Sequence, residues 1–473
     1  MCGIGGIFDF AGRDVSKYLK KILLKMHHRG PDGSGVVVEG KAYYSSLKDL
    51  IVPEGCIGIG FNRLKIVGEG NQPIPNESRK LWLVHNGEIY NYLELKRILR
   101  QHTFRTTMNS EVILHAYEEN KLEVLDGNYA FAIYDTENEQ IRIYRDFVGI
   151  RPVFYCYGEG KFAFASERKA LRSLCDSFER LTPGNLIIVE KDGFSIEKFE
   201  TIEDLRNEKI IEEKMVEELE EALRNAIQKR RYEPVGLLFS GGIDSTILAK
   251  LAIEYYRDPC FITVGLRDSV DIKRAKKVSK LLGFDLEIVK IDKEEVLDLF
   301  RTVITIIDEP NVMKGMIGVP IYAAMKRAKE IGLRVVLVGQ GADELFGGYA
   351  KYLRAKNLER VLLDDLKSIH EKNLERDDHC AMANSIEIRV PYLDKNVIKV
   401  ALRIPSDYKV RSGIRKWILR MLGKKLNLPK EVIMGEKKAI QYGSGVANIL
   451  KKQARKHGKK LHEIALEALT RAE

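Results

Sequence analysis

No stretch of the 473 residues stays apolar for the roughly 18 positions a membrane helix needs, so no span is expected. The opening apolar run, Cys2 to Phe8, is short, ends at Asp9 and lacks a basic segment ahead of it, so it is not expected to be a signal peptide. The six cysteines, at 2, 56, 156, 175, 260 and 380, include no CxxC pair. Neither a zinc ribbon nor a disulfide framework is indicated, and reduced thiols in a cytoplasmic protein are the expectation. Internal repeats and low-complexity segments are also missing. Charge of neither sign is scarce: 68 acidic residues are interspersed with 78 basic ones, for a formal net charge of +10. The densest basic stretch, Lys451, Lys452, Arg455, Lys456, Lys459 and Lys460, reads as one solvated helix face.

What remains is a globular chain, 45% hydrophobic, with room for roughly two to four domains. The first 190 or so residues carry short β-type runs, at 35–39, 81–85, 130–134, 140–144, 162–165 and 186–189, separated by turn residues. Helical periodicity appears at 15–26, 93–101 and 110–120. Residues 191–208 are polar and poorly periodic, and read as the inter-domain connection. An amphipathic helix follows at 212–231, with Met215, Leu219, Ala222, Leu223, Ala226 and Ile227 on one face. Strands at 235–239, 260–264, 286–291 and 334–338 then alternate with helices, which predicts a doubly wound parallel sheet. The tail beyond about residue 362 reads as mostly helical. Two domains are expected, 2–200 and 212–473.

Removal of Met1 would expose the α-amine of Cys2, whose reference pKa of about 7.7–8.0 suits a general base for the neighbouring thiol. Three further segments matter: His28-Arg29-Gly30-Pro31-Asp32-Gly33, Arg63-Leu64-Lys65-Ile66-Val67 and Asn86-Gly87-Glu88-Ile89-Tyr90-Asn91. With Cys2 they resemble the glutaminase domain of N-terminal-nucleophile amidotransferases, in the asparagine synthetase branch. The likeness continues through Arg145-Asp146 with Gly149, Phe164-Ala165-Ser166-Glu167 and Thr182-Pro183-Gly184. It implies an αββα sandwich in which Cys2 attacks the side-chain amide of glutamine. It further implies that the Asn86 side chain and the Gly87 N–H hold the oxyanion, a task that needs preplaced donors. Arg63 would take the substrate carboxylate, with Ile66 and Val67 beside it, and Glu88 the ammonium. The family usually has an aspartate where this chain has Asn109, which can accept a hydrogen bond but carries no charge. Asn109 could otherwise cap the helix that follows it.

Ser240-Gly241-Gly242-Ile243-Asp244-Ser245 lies between a buried strand and a helix, the setting in which backbone N–H groups cradle an anion. It resembles the pyrophosphate loop of ATP-pyrophosphatases. The GxxxxGK spacing at Gly35–Lys41 is a decoy, because it lacks the Ser/Thr of a Walker A loop and reads as strand and turn. Gly339-Gln340-Gly341-Ala342-Asp343, followed by Glu344-Leu345-Phe346-Gly347-Gly348-Tyr349, resembles the second nucleotide loop of the same family. The resemblance implies ATP contacts at Phe239, Val264 and Gly339, Mg2+ ligation by Asp244 and Asp343, and stabilisation of departing pyrophosphate by Lys437. Some family members have a glutamate where Gln340 stands; glutamine can orient groups but takes no proton, so Glu387 is a candidate to assist. The stretch between Tyr349 and Asn373 is shorter than usual.

The implied activity is glutamine hydrolysis coupled to formation of an acyl-adenylate, with the aspartate β-carboxylate as favoured acceptor. The substrates would be glutamine, aspartate and ATP, with no nucleic-acid partner, no membrane, and a homodimer left open. Three rivals stand beside it: the same machinery on another acid or on an internal amide as in β-lactam synthetases, a tRNA-modifying ATP-pyrophosphatase, and a protein that only binds partners. The intact Cys2, Arg63, Asn86 and Gly87 argue against the β-lactam type, and the lack of a recognisable RNA-binding module argues against the RNA enzyme.

Overall fold

A computed structural model describes residues 2–205, 210–435 and 439–471. The chain divides into two compact units, Met1–Asp204 and Leu205–Glu473. Among the described residues no helix is long and apolar enough to cross a membrane.

The first unit stacks two antiparallel sheets between helices. One sheet has seven strands, in the spatial order Glu179–Arg180, Phe154–Gly158, Lys161–Ala165, Gly3–Asp9, Ile57–Asn62, Ser34–Val38, Lys41–Ser45. Helix Ser16–Lys25 covers its outer face with Leu19, Ile22 and Leu23, which pack on Ile7, Val36 and Val38. The second sheet has six strands, Gly193–Lys198, Asn185–Glu190, Gln140–Arg145, Gly127–Asp135, Leu81–Ile89 and Ile74–Pro75. Helices Tyr92–Ile98 and Glu111–Glu118 cover it through Leu95, Val112 and Ile113 against Leu83, Phe131 and Ile133. Strands Gly3–Asp9 and Ile57–Asn62 meet Leu81–Ile89 across the middle, completing the αββα sandwich.

Two expectations need correction here. Residues 193–198, expected in a connection, form an edge strand paired with 185–190; an edge strand with one face to solvent needs few apolar residues, so its polarity misled. The thiols are not all reduced: Cys156, on a strand, and Cys175, in the turn region after Arg168–Ala170, are disulfide-linked. The GxxxxGK decoy is the hairpin formed by Ser34–Val38 and Lys41–Ser45.

The second unit is a five-stranded parallel sheet in the order Glu287–Ile291, Cys260–Leu266, Val235–Leu238, Val335–Leu337, Glu387–Arg389. Its central strands are short and buried, as in parallel sheets covered on both faces. Strand order reverses direction between Val235–Leu238 and Val335–Leu337, so the crevice beyond their carboxyl ends is the topological switch point, where α/β sheets bind ligands. The fifth strand lies in the tail expected to be mostly helical; three residues with charged ends give no strand signal.

Candidate active sites

In the first unit the site is assembled where the two sheets face each other. Cys2 precedes strand Gly3–Asp9, and its N–H donates to Asn86 Oδ1 at 3.0 Å. Asn86 is fully buried, and its side-chain NH2 group has no hydrogen-bond partner. An amide buried in this way beside a thiol is suited to receive a developing oxyanion. The thiol itself is 3.5 Å from the Leu64 N–H. Alternation along strand Leu81–Ile89 puts Asn86 and Glu88 on one face. Gly87 between them is required: a Cβ there would fall 2.0 Å from the Asn128 carbonyl oxygen.

Arg63 follows strand Ile57–Asn62 and closes the turn 63–68 by donating to the Gly68 carbonyl at 2.8 Å. Ile66 and Val67 sit half-buried within that turn. Main-chain and side-chain bonds between Glu69 and Thr107 join the turn to the segment carrying Asn109. The Asn109 side-chain NH2 donates to the Glu88 carboxylate, and both residues are buried. The capping alternative for Asn109 is overturned: Ser110 is the N-cap of helix Glu111–Glu118, and no side chain caps that end.

The parts that position Cys2 were not singled out from the sequence. Arg29, fully buried, donates through Nε to the Cys2 carbonyl at 3.0 Å and through Nη1 to Glu167 at 2.9 Å. His28 Nε2 and Lys169 Nζ also reach Glu167, at 2.9 and 2.8 Å. Burial pushes the Glu167 carboxyl up, but the charges of His28, Lys169 and Arg29 outweigh it and hold the group well below the usual range. Ser166 Oγ accepts from the Ile4 N–H at 3.1 Å. Both His28-Arg29 and Ser166-Glu167 lie in segments that carry the resemblance; only the three-dimensional contact reveals them as one clamp. Arg145 and Asp146 prove to be loop organisers. Arg145 donates to the carbonyls of Gly149, Arg151 and Leu181, and Asp146 accepts from the N–H groups of Val148, Gly149 and Ile150.

In the second unit, Ser240–Ser245 leaves the carboxyl end of Val235–Leu238 and enters helix Ile243–Tyr255. Gly241 adopts φ +67°, and a Cβ there would lie 3.1 Å from the Ala275 and Arg274 main chain. The Ser240 and Ser245 hydroxyls are 3.2 Å apart, and the Ser240 Oγ also accepts from the Gly242 N–H at 3.4 Å. Val264 and Phe239 are buried near the carboxyl ends of adjacent strands, with the Phe239 ring packed on Phe261 and Phe284. Gly339 follows strand Val335–Leu337 close to Asp244: a Cβ on it would lie 3.6 Å from that residue's Cβ. Gln340, half-buried, comes next.

Asp244 and Asp343 converge on the ammonium of Lys416, which contacts Asp244 and lies 2.7 Å from Asp343. Lys416 is a non-glycine residue at φ +58°, a conformation costing of order 1–3 kcal/mol, and its side chain is buried. Burial pushes its ammonium below the ordinary value, while Asp244 pulls the other way. Arg274, Arg415 and Arg420 line the same cleft with Ser240–Asp244 and Gly348. Gly348 lies so close to Asp343 that a Cβ would come within 1.7 Å of the carboxylate. Four cations around a glycine loop at a helix N-terminus make an anion site. None of the four was singled out from sequence, since nothing in a single sequence places Arg274, Arg415, Lys416 or Arg420 beside residue 244.

Two further placements complete the picture. Glu387 cannot assist from where it stands: it pairs in register with Val335 at the start of the parallel strands, away from their carboxyl ends, and binds Arg389 at 2.6 Å in the buried interior. Lys437 lies outside the described residues.

Comparison with known proteins adds the family. The family model described as a glutamine amidotransferase domain matches residues 1–214, and the one described as asparagine synthase matches 217–362 and 351–471. A Methanocaldococcus jannaschii protein, provisionally named glutamine-hydrolyzing asparagine synthetase 1, is 40% identical over 525 residues, covering 97% of this chain and 96% of that one. Glutamine-hydrolyzing asparagine synthetases of Asparagus officinalis and Oryza sativa subsp. japonica are 30% and 31% identical, covering 97% of this chain and 80% of theirs. With both domains in this order and such identity over nearly its whole length, the chain belongs to the glutamine-hydrolyzing asparagine synthetase family.

Proposed function

We propose that this chain makes asparagine from aspartate, with glutamine as nitrogen donor and ATP as activator. Residues 2–200 are the glutaminase part. Cys2 attacks the glutamine amide carbon, ammonia leaves, and water releases glutamate from the thioester. Asn86 and the Gly87 N–H stabilise the oxyanion; Arg63 orients the substrate carboxylate, with Ile66 and Val67 along the turn, and Glu88 with Asn109 faces the ammonium.

Residues 212–473 are the synthetase part. The aspartate β-carboxylate attacks the α-phosphorus of ATP, giving aspartyl-AMP and pyrophosphate; ammonia then attacks the acyl carbon, releasing AMP and asparagine. Ser240, Gly241, Gly242 and Ser245 cradle the pyrophosphate, while Phe239, Val264 and Gly339 border the nucleotide. Lys416, Arg274, Arg415 and Arg420 carry the opposing charge, and Lys437 stabilises the departing pyrophosphate. Gln340 orients the acceptor without exchanging a proton.

Asp244 and Asp343 would hold Mg2+. Their carboxylates already converge on one cationic centre, and an all-oxygen donor set beside a phosphate cradle is what this ion prefers. When bound, it would neutralise phosphate charge.

The observation that carries the reading is that convergence of Asp244 and Asp343 beside the glycine loop at the switch point. The test is product analysis with aspartate, ATP, Mg2+ and glutamine. Asparagine, glutamate, AMP and pyrophosphate in equal amounts are expected. ADP and phosphate would overturn the adenylate route, and a product other than asparagine would overturn the acceptor.

A further inference from the structure

Outside the residues assigned to either site, four side chains from three segments of the first unit converge. Glu77 lies in the turn before strand Leu81–Ile89, and His102 in the turn after helix Tyr92–Ile98. His115 and Glu118 sit one helical turn apart on Glu111–Glu118. Their ligand atoms all lie within 4.8 Å of one another. His102 Nδ1 is 3.1 Å from Glu77 and 3.8 Å from Glu118. His115 Nδ1 is 3.0 Å from Glu118 and 3.7 Å from Glu77. A tetrahedral zinc ion, with bonds of about 2.0–2.2 Å, spaces its ligands roughly 3.3–3.6 Å apart, in the middle of that range.

We propose that Glu77, His102, His115 and Glu118 form a structural site for a divalent cation of the zinc class. It would tie the hairpin turn at 77 and the turn at 102 to helix Glu111–Glu118.

A second feature points the same way. Zinc-binding histidines direct their other ring nitrogen at a carboxylate or carbonyl, which fixes the tautomer and raises ligand basicity. Here carboxylates lie near both Nε2 atoms, Glu119 3.4 Å from His102 and Glu111 3.8 Å from His115, close by but not hydrogen-bonded to them. The two rings are stacked, with centroids 4.4 Å apart. The carboxylates are oriented in turn: Glu118 accepts from Asn76 Nδ2 at 2.8 Å, and Glu77 from the Thr103 N–H at 3.0 Å. Two imidazoles with two carboxylates suit zinc rather than magnesium or calcium, which take oxygen donors. Four protein ligands leave no open position, the arrangement of a structural site.

The test uses the full-length chain, dialysed against chelator and titrated with zinc chloride in a Cys2→Ser background that removes the active-site thiol. One zinc per chain is expected, with a rise in melting temperature. His102→Gln and Glu118→Gln should each weaken binding by more than roughly tenfold and abolish the zinc-dependent rise. No stoichiometric binding by the parent, as for a cluster held only by protons, would overturn the proposal, and so would equal binding by both variants. Should either variant fail to fold, X-ray absorption on the zinc-loaded parent decides: imidazole nitrogen with carboxylate oxygen supports the site, and all-oxygen or sulfur ligation overturns it.

Discussion

The two candidate active sites are held by different means. The proposed phosphate cradle is six consecutive residues, Ser240–Ser245, set by two glycines and the start of a helix. The nucleophile site is a set of single residues brought together over long chain separations: 84 residues between Cys2 and Asn86, 138 between Arg29 and Glu167. A local site depends on backbone conformation, which a short motif can encode. A distributed site depends on the sandwich being fully formed, so its failures should track stability as well as chemistry.

The largest effects should separate the two regions outright. Cys2→Ala should abolish glutamine-dependent synthesis and leave ammonia-dependent synthesis largely intact. Asp244→Ala or Asp343→Ala should do the reverse, abolishing ATP cleavage while glutamine hydrolysis survives. Assays of glutamate, pyrophosphate and asparagine on each variant check this. Equal loss of both activities from either substitution would contradict two chemically separate sites.

Next in size is the proposed oxyanion donor. The Asn86 side-chain oxygen accepts from the Cys2 N–H, and its NH2 group has no hydrogen-bond partner. Losing one such donor elsewhere costs about 10²–10³ in kcat. Asn86→Ala should lose at least that much glutaminase turnover, because the Cys2 N–H loses its acceptor too. Asn86→Asp keeps the acceptor but puts a carboxylate where the oxyanion forms, so it should lose at least as much turnover as Asn86→Ala. Steady-state glutaminase assays rank the three.

This contrast also explains what could be read before the structure. Ser240–Ser245 and 339–343 were legible because each is a contiguous motif following a buried strand. Alternation of strands and helices likewise announced the parallel sheet. The Arg29–Glu167 clamp was not legible as a unit, since nothing in a single sequence pairs residues so far apart. Lys416 was hidden for the same reason, although it sits between the two carboxylates the motifs had named. Strand Glu387–Arg389 is too short for a periodic signal, and nothing in the sequence showed that Glu387, named to assist Gln340, is paired with Arg389. Strand Gly193–Lys198 was lost to its own polarity, as solvent-facing edges often are. The Cys156–Cys175 link has no signature in spacing.

The clamp offers a smaller, stability-based test of the distributed site. Glu167 faces the Arg29 guanidinium and the Lys169 ammonium, with the His28 ring beside them. Its depressed pKa contributes stability that is present above the unfolded value, near 4.5, and is lost as pH falls toward the folded value. Removing one partner of a buried ion pair costs about 3–5 kcal/mol. Glu167→Gln should therefore melt well below the parent at neutral pH, and the gap should narrow as the solution is acidified. A deficit independent of pH would mean that packing rather than charge is what the clamp supplies. Glutaminase activity measured below the melting range should also fall, because Arg29 holds the Cys2 carbonyl.

The smallest effect concerns Asn109. In the free protein its NH2 group donates to the Glu88 side chain, and both residues are buried. Asn109→Asp puts two carboxylates where one stood, and like charges so close raise one pKa and favour sharing a proton. A glutamine ammonium arriving there would meet two charges instead of one. Charge-assisted hydrogen bonds are typically worth about 1.5–3 kcal/mol, and part of that goes to displacing the shared proton. The KM for glutamine should accordingly fall several-fold with kcat nearly unchanged, because the ammonium lies away from the reacting amide. The gain should grow as pH rises and the shared proton is lost without substrate. The substrate-free variant should melt below the parent, and saturating glutamine should close that gap. Ammonia-dependent synthesis should not move. Asn109→Ala removes the donor to Glu88 without adding charge, and should raise KM while leaving the helix end at Ser110 intact. If the aspartate and alanine variants both kept the parent's glutamine dependence, the Glu88–Asn109 pair would be a packing contact, and the ammonium would be held elsewhere.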